Sequence, residues 1–145
     1  MEKYMEIAIK EAKLGIKSKH GGPFGAVIVK NGKVVSKAHN MVLKKKDSTC
    51  HAEIEAIRKA CKALGTFDLS KCEIYTTGKP CPMCRSAIQW AKISTVYFGC
   101  SYADAKSIGF DENSGNSKKY SEKQTEKFLC KQLYSEYTSK KGKIY

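Results

Sequence analysis

The chain has 145 residues, of which 41% are hydrophobic, and carries a formal net charge of +13 at pH 7. This length suffices for one domain with a buried core, and charges interrupt residues 1–19 too often for a signal peptide. No later stretch is apolar over the length that would span a bilayer. We therefore expect a cytoplasmic protein of one domain, with a core over residues 1–112 and a loop, helix and tail over residues 113–145.

The first half of the chain predicts a helix, a β-hairpin and a second helix. Apolar residues recur at helical spacing over residues 5–16, and a Gly-Gly-Pro sequence then ends that helix. Residues 24–29 and 33–38 are typical of antiparallel strands joined at Asn31-Gly32, a strong hairpin signal. Capping side chains at residues 47–49 precede the second helical pattern, which Gly65 closes.

The second half predicts alternating strands and helices. Strands are expected at residues 73–77 and 95–99, with a helix at residues 82–91 between them and a short helix within residues 101–109. A polar loop over residues 113–124 leads into a last helix at about residues 122–138. This order predicts an α/β sandwich whose later strands run parallel. The predicted buried side of the last helix consists of Phe128, Leu129, Leu133 and Tyr137.

Two short motifs carry the chemistry, His51-Ala52-Glu53 and Pro80-Cys81-Pro82-Met83-Cys84. One imidazole and two thiolates suit Zn²⁺, and three protein ligands leave a position for water, as catalytic zinc sites do. Zinc lowers the pKa of its bound water to about 7, so hydroxide can attack an amine-bearing carbon of an aromatic base. Glu53 is not needed as a ligand and is placed to shuttle protons. The motifs predict a zinc-dependent hydrolytic deaminase.

Other interpretations of these motifs stay open. The Cys-x-x-Cys pair could serve thioredoxin-like redox chemistry, although a redox dithiol does not need the upstream His-x-Glu. His51 could be a buried polar residue, and Glu53 an acid favoured by the helix dipole. A structural zinc clip could recruit Cys50 or Cys72 as its fourth ligand. The other cysteines lie on apolar patterns and are predicted core residues, namely Cys61, Cys100 and Cys130.

The positive charge is carried almost entirely by lysine. Only Arg58 and Arg85 are arginines among the 27 basic residues, whereas guanidinium groups are preferred for the recognition of phosphates and bases. The lysines are scattered, and a series at four-residue spacing near the C-terminus would lie on one solvated face of a helix. Binding to nucleic acid is therefore open but not favoured.

With these motifs, the chain resembles the cytidine and nucleotide deaminase superfamily and, within it, the small bacterial guanine deaminases. The likeness covers residues 21–112 and includes the Gly-Gly-Pro-Phe-Gly-Ala-Val-Ile-Val run that begins at residue 21 and the Gly-Phe-Asp-Glu run that begins at residue 109. It implies a three-layer α/β/α fold around a mixed sheet and one Zn²⁺ per chain. By this resemblance His51, Cys81 and Cys84 bind the metal and Glu53 shuttles protons. The residues that it assigns to the base are Phe24, Asn40 and the backbone of Ala52.

The C-terminal segment bears on the choice of subgroup. Guanine deaminases of this kind reach the active site with such a segment, often exchanged between the subunits of a dimer, so the resemblance implies a homodimer. It assigns the purine contact to Tyr145, and Glu136 is its candidate for the carboxylate near the leaving amine.

The chain departs from the family pattern at two positions. Lys79 stands where family members usually have an acidic residue, and Glu112, a candidate for base recognition, stands where the guanine group commonly has an Asp.

The favoured function is the conversion of the free base guanine to xanthine and ammonia, with attack at C2. A tRNA adenosine deaminase would share the zinc site and use the basic surface to hold an anticodon loop. A cytosine or other nucleobase deaminase also fits, because Asn40-Met41 occurs near the base in that group. A non-enzymatic zinc module is the remaining alternative.

Overall fold

The computed structural model describes residues 2–112 and 121–145, and most of the predicted polar loop, residues 113–120, lies outside the described residues. None of the helices in these two ranges is both long and apolar enough to cross a membrane. The elements in chain order are α1 (Glu2–Lys17), β1 (Gly25–Lys30), β2 (Lys33–His39), α2 (Val42–Lys45), α3 (Ala52–Leu64), β3 (Cys72–Gly78), α4 (Pro82–Trp90), β4 (Thr95–Cys100), α5 (Tyr102–Ser107) and α6 (Lys127–Ser139).

Four strands form one mixed sheet in the order β2-β1-β3-β4. Strand β1 pairs antiparallel with both β2 and β3, whereas β3 and β4 are parallel. A parallel pair needs a crossover connection, which α4 supplies between β3 and β4. The prediction of an α/β fold whose later strands run parallel is confirmed.

Strand β1 divides the core into two layers because successive side chains on a strand point to opposite faces. Val27 and Val29 face α1, where they pack with Tyr4 and Tyr75. The alternate residues of β1 face the other way, toward α3 and α4. The core on that side includes Ala26, Ile28, Ala52, Ala56, Ala60, Leu69, Ile74, Ile88 and Ala91. Helices therefore cover both faces of the sheet, which confirms the three-layer α/β/α fold.

The hairpin between β1 and β2 forms where Asn31-Gly32 predicted it. Asn31 has a φ of 50° and Gly32 a φ of 74°, and two successive positive φ angles are typical of the type I′ turns that suit the twist of hairpin strands. The hairpin places Asn40 directly after β2, close to the start of β1.

Helix α1 packs on the sheet through Tyr4 and a row of small residues, and Ile7 is partly buried against the same core. Its buried residues are Tyr4, Ala8, Ala12 and Gly15, whereas Ile9 is 41% exposed. Small side chains let the helix approach closely: a Cβ on Gly25 of β1 would lie 2.0 Å from the Ala8 carbonyl oxygen. The backbones of α1 and β1 are therefore in close contact at Ala8 and Gly25, beside the packing of Tyr4 on Tyr75.

The predicted buried side of the last helix is wrong. In the described ranges α6 has no buried residue, and its apolar side chains are between 48% and 77% exposed. These side chains are Phe128, Leu129, Leu133, Tyr134 and Tyr137. The core prediction is also wrong for Cys100 and Cys130, which are exposed, while Cys61 is only partly buried. Helical periodicity identified the apolar face of α6 but could not identify what covers it.

Candidate metal centre

The two metal motifs begin the helices α3 and α4. His51 is the N-cap of α3 and Cys81 the N-cap of α4, and neither makes a side-chain capping hydrogen bond. The prediction that residues 47–49 cap α3 is wrong, because the Asp47 carboxylate instead accepts hydrogen bonds from the backbone N–H and the hydroxyl of Thr49. The imidazole and the thiol are thus available as ligands, and the positive ends of both helix dipoles favour thiolates between them.

His51, Cys81 and Cys84 meet in a geometry that fits Zn²⁺. His51 Nδ1 lies 3.5 Å from the Sγ atoms of both cysteines. Tetrahedral zinc with usual Zn–S and Zn–N bonds places N and S ligands about 3.6 Å apart. Within residues 2–112 and 121–145, no other three His, Cys, Asp or Glu side chains form a comparable group. Cys50 and Cys72 are outside this group, so the described residues do not form the closed site that a structural zinc clip requires.

The two cysteines and His51 are joined by hydrogen bonds that shift the pKa values of all three groups. Hydrogen bonds from the Cys84 thiol and His51 lower the pKa of Cys81 to about 4, whereas the pKa of Cys84 is raised because it donates to Cys81. The hydrogen bond with Cys81 also raises the pKa of His51. These hydrogen bonds favour the thiolate form of Cys81, and a metal ion that binds both sulfurs displaces the remaining thiol proton.

Glu53 lies beside this donor set and is not part of it. Its side chain is buried at 6% exposure. Burial raises the pKa of Glu53, and a hydrogen bond from Cys84 works in the opposite direction. A buried carboxyl group with a raised pKa holds a proton more readily than an exposed one, which suits a group that accepts and returns a proton in general acid–base catalysis.

A cleft opens in front of the metal ligands and consists of two adjoining cavities of about 460 and 360 Å³. Both are lined by Ser48, His51, Phe110 and Glu112. The larger cavity also includes Cys81, Pro82, Met83, Gly109 and Asp111, and the smaller includes Gly21, Gly22, Phe24, Asn40, Val42 and Leu43. The structure thus brings the predicted residues Phe24, Asn40 and Glu112 to one cleft with the metal ligands.

Aromatic rings form one wall of the cleft. Phe24 and Phe110 pack edge to face, with ring centroids 5.1 Å apart and an interplanar angle of 86°. The Gly109 φ of 103° turns the chain into this position, in a region of backbone conformation that favours glycine. Phe110 had no role in the sequence interpretation, although it stands in the Gly-Phe-Asp-Glu run that carried the resemblance.

Asn40 is oriented by its neighbours. Its side chain is 6% exposed, and its Oδ1 accepts a hydrogen bond of 3.0 Å from the Val42 backbone N–H. The amide nitrogen keeps its two hydrogens for a partner in the cleft. Ala52, the first residue of α3, belongs to the first turn, whose N–H groups have no acceptor within the helix. Asn40 and the Ala52 backbone can therefore both donate hydrogen bonds.

Glu112 contributes a half-buried carboxyl group. Burial raises the pKa of Glu112, and the negative charge of Cys81 raises it further.

Helix α2, which contributes Val42 and Leu43 to the cleft, was not predicted. Its four residues are too few for a periodic pattern, so the sequence offered no signal for it.

The positive charge of Lys79, next to the metal motif, lies against two aromatic rings. Its Nζ lies 4.8 Å from the ring centroid of Tyr102 and 5.6 Å from that of Phe98. The Tyr102 hydroxyl in turn donates a 2.6 Å hydrogen bond to the Pro80 carbonyl oxygen. The aromatic rings of Tyr102 on α5 and Phe98 on β4 therefore stabilise the positive charge of Lys79.

The predicted C-terminal site residues are not brought to the cleft of their own chain. Tyr145 is 70% exposed, and its ring centroid lies 6.1 Å from that of Phe67. Glu136 lines a separate surface groove on α6 with Phe128 and Lys131. The described residues of one chain thus place the zinc ligands and the base-facing residues together and leave Tyr145 and Glu136 elsewhere.

Comparisons with known proteins match this site. Residues 1–100 match the family model for the cytidine and deoxycytidylate deaminase zinc-binding region. A guanine deaminase of Bacillus subtilis (strain 168) is 45% identical over 112 residues, which cover 77% of this chain and 72% of that protein. A tRNA-specific adenosine deaminase of Aquifex aeolicus (strain VF5) is 45% identical over 97 residues, which cover 67% of this chain and 64% of that protein. The solved structure of guanine deaminase from Bacillus subtilis superposes with a TM-score of 0.82 and 35% identity, over 93% of this chain and 92% of that one.

Proposed function

Since the chain belongs to the family with the cytidine and deoxycytidylate deaminase zinc-binding region, we propose that it hydrolyses guanine to xanthine and ammonia. The protein is a zinc-dependent deaminase. The observation that carries the choice of guanine is the extent of the likeness: the solved guanine deaminase superposes on 93% of the chain. At the level of sequence, the similarity to the guanine deaminase covers 77% of the chain and that to the tRNA-specific adenosine deaminase covers 67%.

His51, Cys81 and Cys84 would hold the zinc ion, which supplies a Lewis acid that lowers the pKa of water at its open position. The Glu53 carboxylate takes a proton from the attacking water and delivers it to the ring nitrogen next to the amine-bearing carbon. Glu53 then takes the second proton of the added water, from the hydroxyl now on that carbon, and passes it to the leaving amine, so guanine and water become xanthine and ammonia. Its burial keeps bulk water from competing for this proton.

The base is held by donors from the cleft wall. The Asn40 amide nitrogen donates to an acceptor on the base, because its oxygen is already engaged by Val42. The Ala52 backbone N–H gives a second donor at the start of α3. Phe24 and Phe110 supply an aromatic wall, and Glu112 supplies a carboxyl group at the rim. A planar purine with carbonyl and ring-nitrogen acceptors fits this set of donors.

The C-terminal segment completes the site from a second copy of the chain. In support of a homodimer, α6 exposes Phe128, Leu129 and Leu133, and neighbouring exposed apolar side chains of this kind can mark a protein–protein interface. Neither Tyr145 nor Glu136 lines the cleft of its own chain. An exchange of the segments after Glu112 between two subunits would bury these apolar side chains of α6 and bring Tyr145 and Glu136 to the partner's cleft.

A tRNA adenosine deaminase is the second candidate, because the relative with that activity is also 45% identical and the chain carries a net charge of +13. The test is ammonia release from the purified zinc protein with guanine, guanosine, cytosine, adenine and a tRNA anticodon hairpin. We expect release from guanine alone. Release only from the hairpin would assign the second function, and release only from cytosine would assign a pyrimidine substrate.

The contribution of the C-terminal segment is tested by Tyr145→Ala, with Ile144→Ala as the matched control because Ile144 is also exposed, at 85%. We expect Tyr145→Ala to lower kcat/KM for guanine at least tenfold and Ile144→Ala to change it little. Light scattering after size exclusion should give the mass of two chains. Unchanged turnover of Tyr145→Ala, or a mass of one chain, would contradict this assembly.

A further inference from the structure

Three side chains form a hydrogen-bonded row behind the substrate cleft. His20 Nδ1 lies 2.9 Å from His39 Nε2, and His39 Nδ1 lies 3.0 Å from Glu11 Oε2. The two imidazoles also stack, with ring centroids 5.1 Å apart and an interplanar angle of 23°. His39 and Glu11 are each only 12% exposed in their side chains. The row joins α1, the end of β2 and the segment that leads into β1.

The row fixes the protons on both rings. The Glu11 carboxylate can only accept, so His39 Nδ1 carries a hydrogen. With both rings neutral, His39 Nε2 is then the acceptor and His20 Nδ1 the donor, so both histidines are Nδ1–H tautomers.

This row is directly connected to the cleft through the backbone. His39 precedes Asn40, and His20 precedes Gly21, whose Cβ, if present, would lie 2.1 Å from Asn40 Oδ1. The His20 carbonyl oxygen also accepts hydrogen bonds of 2.9 and 3.0 Å from the N–H groups of Leu43 and Lys44 in α2. A displacement of His20 would therefore move two walls of the cleft, Gly21 and α2, while a displacement of His39 would move Asn40.

We propose that Glu11, His39 and His20 are positioning residues that hold Asn40, Gly21 and α2 in the geometry that binds the base. Neither histidine lines the cleft, so the row acts through Asn40 and not on the substrate itself. The inference rests on the proposed function, in which Asn40 donates to the base. It predicts an effect on substrate binding that is separate from the zinc chemistry.

The first experiment reads the row without reference to turnover. The chain has three histidines, and His51 is the zinc ligand, so ¹⁵N-labelled histidine gives an NMR spectrum that substitutions can assign. In the zinc protein above neutral pH we expect Nδ1–H signals from both His20 and His39. An Nε2–H tautomer at His39 would overturn the proposal, because that ring could not then donate to Glu11.

The second experiment separates positioning from folding. We expect His39→Leu and His20→Leu to raise KM for guanine about tenfold, with kcat within about threefold and zinc content unchanged. His39→Gln should restore most of the affinity, because an amide can donate to Glu11 and accept from His20. Lys37→Ala is the matched control: Lys37 pairs with Glu11 at 3.8 Å, is 62% exposed and is not part of the row.

The outcomes are distinguishable from a failure of the proposed function. An unchanged KM in folded His39→Leu and His20→Leu, or an equal effect of His39→Gln and His39→Leu, would overturn positioning. If the wild-type protein does not act on guanine, the proposed function fails, and the row is then judged by the Asn40 side-chain amide signals in the zinc protein. Those signals should shift in His39→Leu and His20→Leu but not in Lys37→Ala, and their constancy would overturn the proposal. If the Leu variants do not fold, the wild-type tautomers decide.

Discussion

At the scale of single residues, the roles at the metal centre differ because their environments differ. His51 and Cys81 are helix N-caps whose side chains make no capping hydrogen bond. Glu53, in the first turn of α3, is instead buried, and its pKa is raised. Burial disfavours the charged carboxylate, so this group is suited to carry a proton rather than to bind a cation permanently. The same short motif therefore supplies a ligand and a proton carrier.

Glu53→Gln should separate these two roles. The amide keeps the size of the side chain but cannot accept and return a proton, so we expect kcat to fall about 10²–10⁴-fold while one zinc per chain is retained. Ammonia release and zinc content measure the two quantities. Glu73→Gln is the control, since Glu73 accepts from the Tyr75 hydroxyl on β3. Loss of zinc in Glu53→Gln would instead make Glu53 a structural part of the metal site.

Lys79→Met tests whether the positive charge next to the zinc motif tunes the reaction. Because the ammonium lies over the Tyr102 and Phe98 rings, and such contacts at exposed sites contribute only about 0.5–1 kcal/mol, we expect kcat/KM to change by less than threefold. Lys92→Met, which removes a lysine over Phe67, is the matched control. A change of tenfold or more, specific to Lys79→Met, would show that this charge does act on the site.

At the scale of elements, the contact between α1 and β1 shows how closely backbones are packed near the cleft. Gly25→Ala would place a Cβ 2.0 Å from the Ala8 carbonyl oxygen, so helix and strand must separate. Overpacking of this kind typically costs about 1–3 kcal/mol of unfolding free energy. At Gly78, by contrast, a Cβ would meet the Phe24 ring at an ordinary 3.5 Å.

Urea unfolding of the zinc-loaded variants measures this difference. We expect Gly25→Ala to shift the midpoint to clearly lower urea and Gly78→Ala to shift it much less. Equal midpoints for the two variants would mean that α1 can move away from β1 without cost.

The elements themselves were largely predictable, since helix and strand patterns are local. The hairpin, α3 with its Gly65 end, α4 and the parallel pair β3–β4 all follow from spacing and turn residues. The four-residue helix α2 has no periodicity to reveal it. The apolar face of α6 was misassigned as buried because an amphipathic pattern identifies an apolar face but does not show whether the rest of the chain packs on it.

At the scale of the whole molecule, stability at high pH should depend on one buried phenol. Burial between α1 and the sheet raises the pKa of Tyr75 from 10.0 to about 12. In this interval the unfolded chain has lost the proton and the folded chain retains it. The corresponding stabilisation is complete below pH 10, is lost as the pH rises toward 12, and amounts to about 2–3 kcal/mol for a shift of this size.

Tyr75→Phe removes this ionisation. We expect the unfolding free energy of the wild-type protein to fall more steeply than that of Tyr75→Phe between pH 10 and 12, in matched urea titrations. Parallel curves for the two proteins would show that Tyr75 ionises equally in both states and that the phenol is not held neutral by the fold.

The sequence by itself determined the metal chemistry and the layered fold of this protein. The ligand types, their spacing and the leftover carboxylate are properties of two short segments, and α-helical and β-strand periodicities arise within single elements. The resemblance predicted Phe24, Asn40 and Glu112 at the base, but only the tertiary structure added Phe110 and placed all four in one cleft with the metal ligands, because these residues are separated along the chain and meet only when the sheet and helices pack. The same holds for the Glu11–His39–His20 row and for the position of Tyr145. Contacts between distant segments depend on packing geometry, which no local pattern in the sequence encodes.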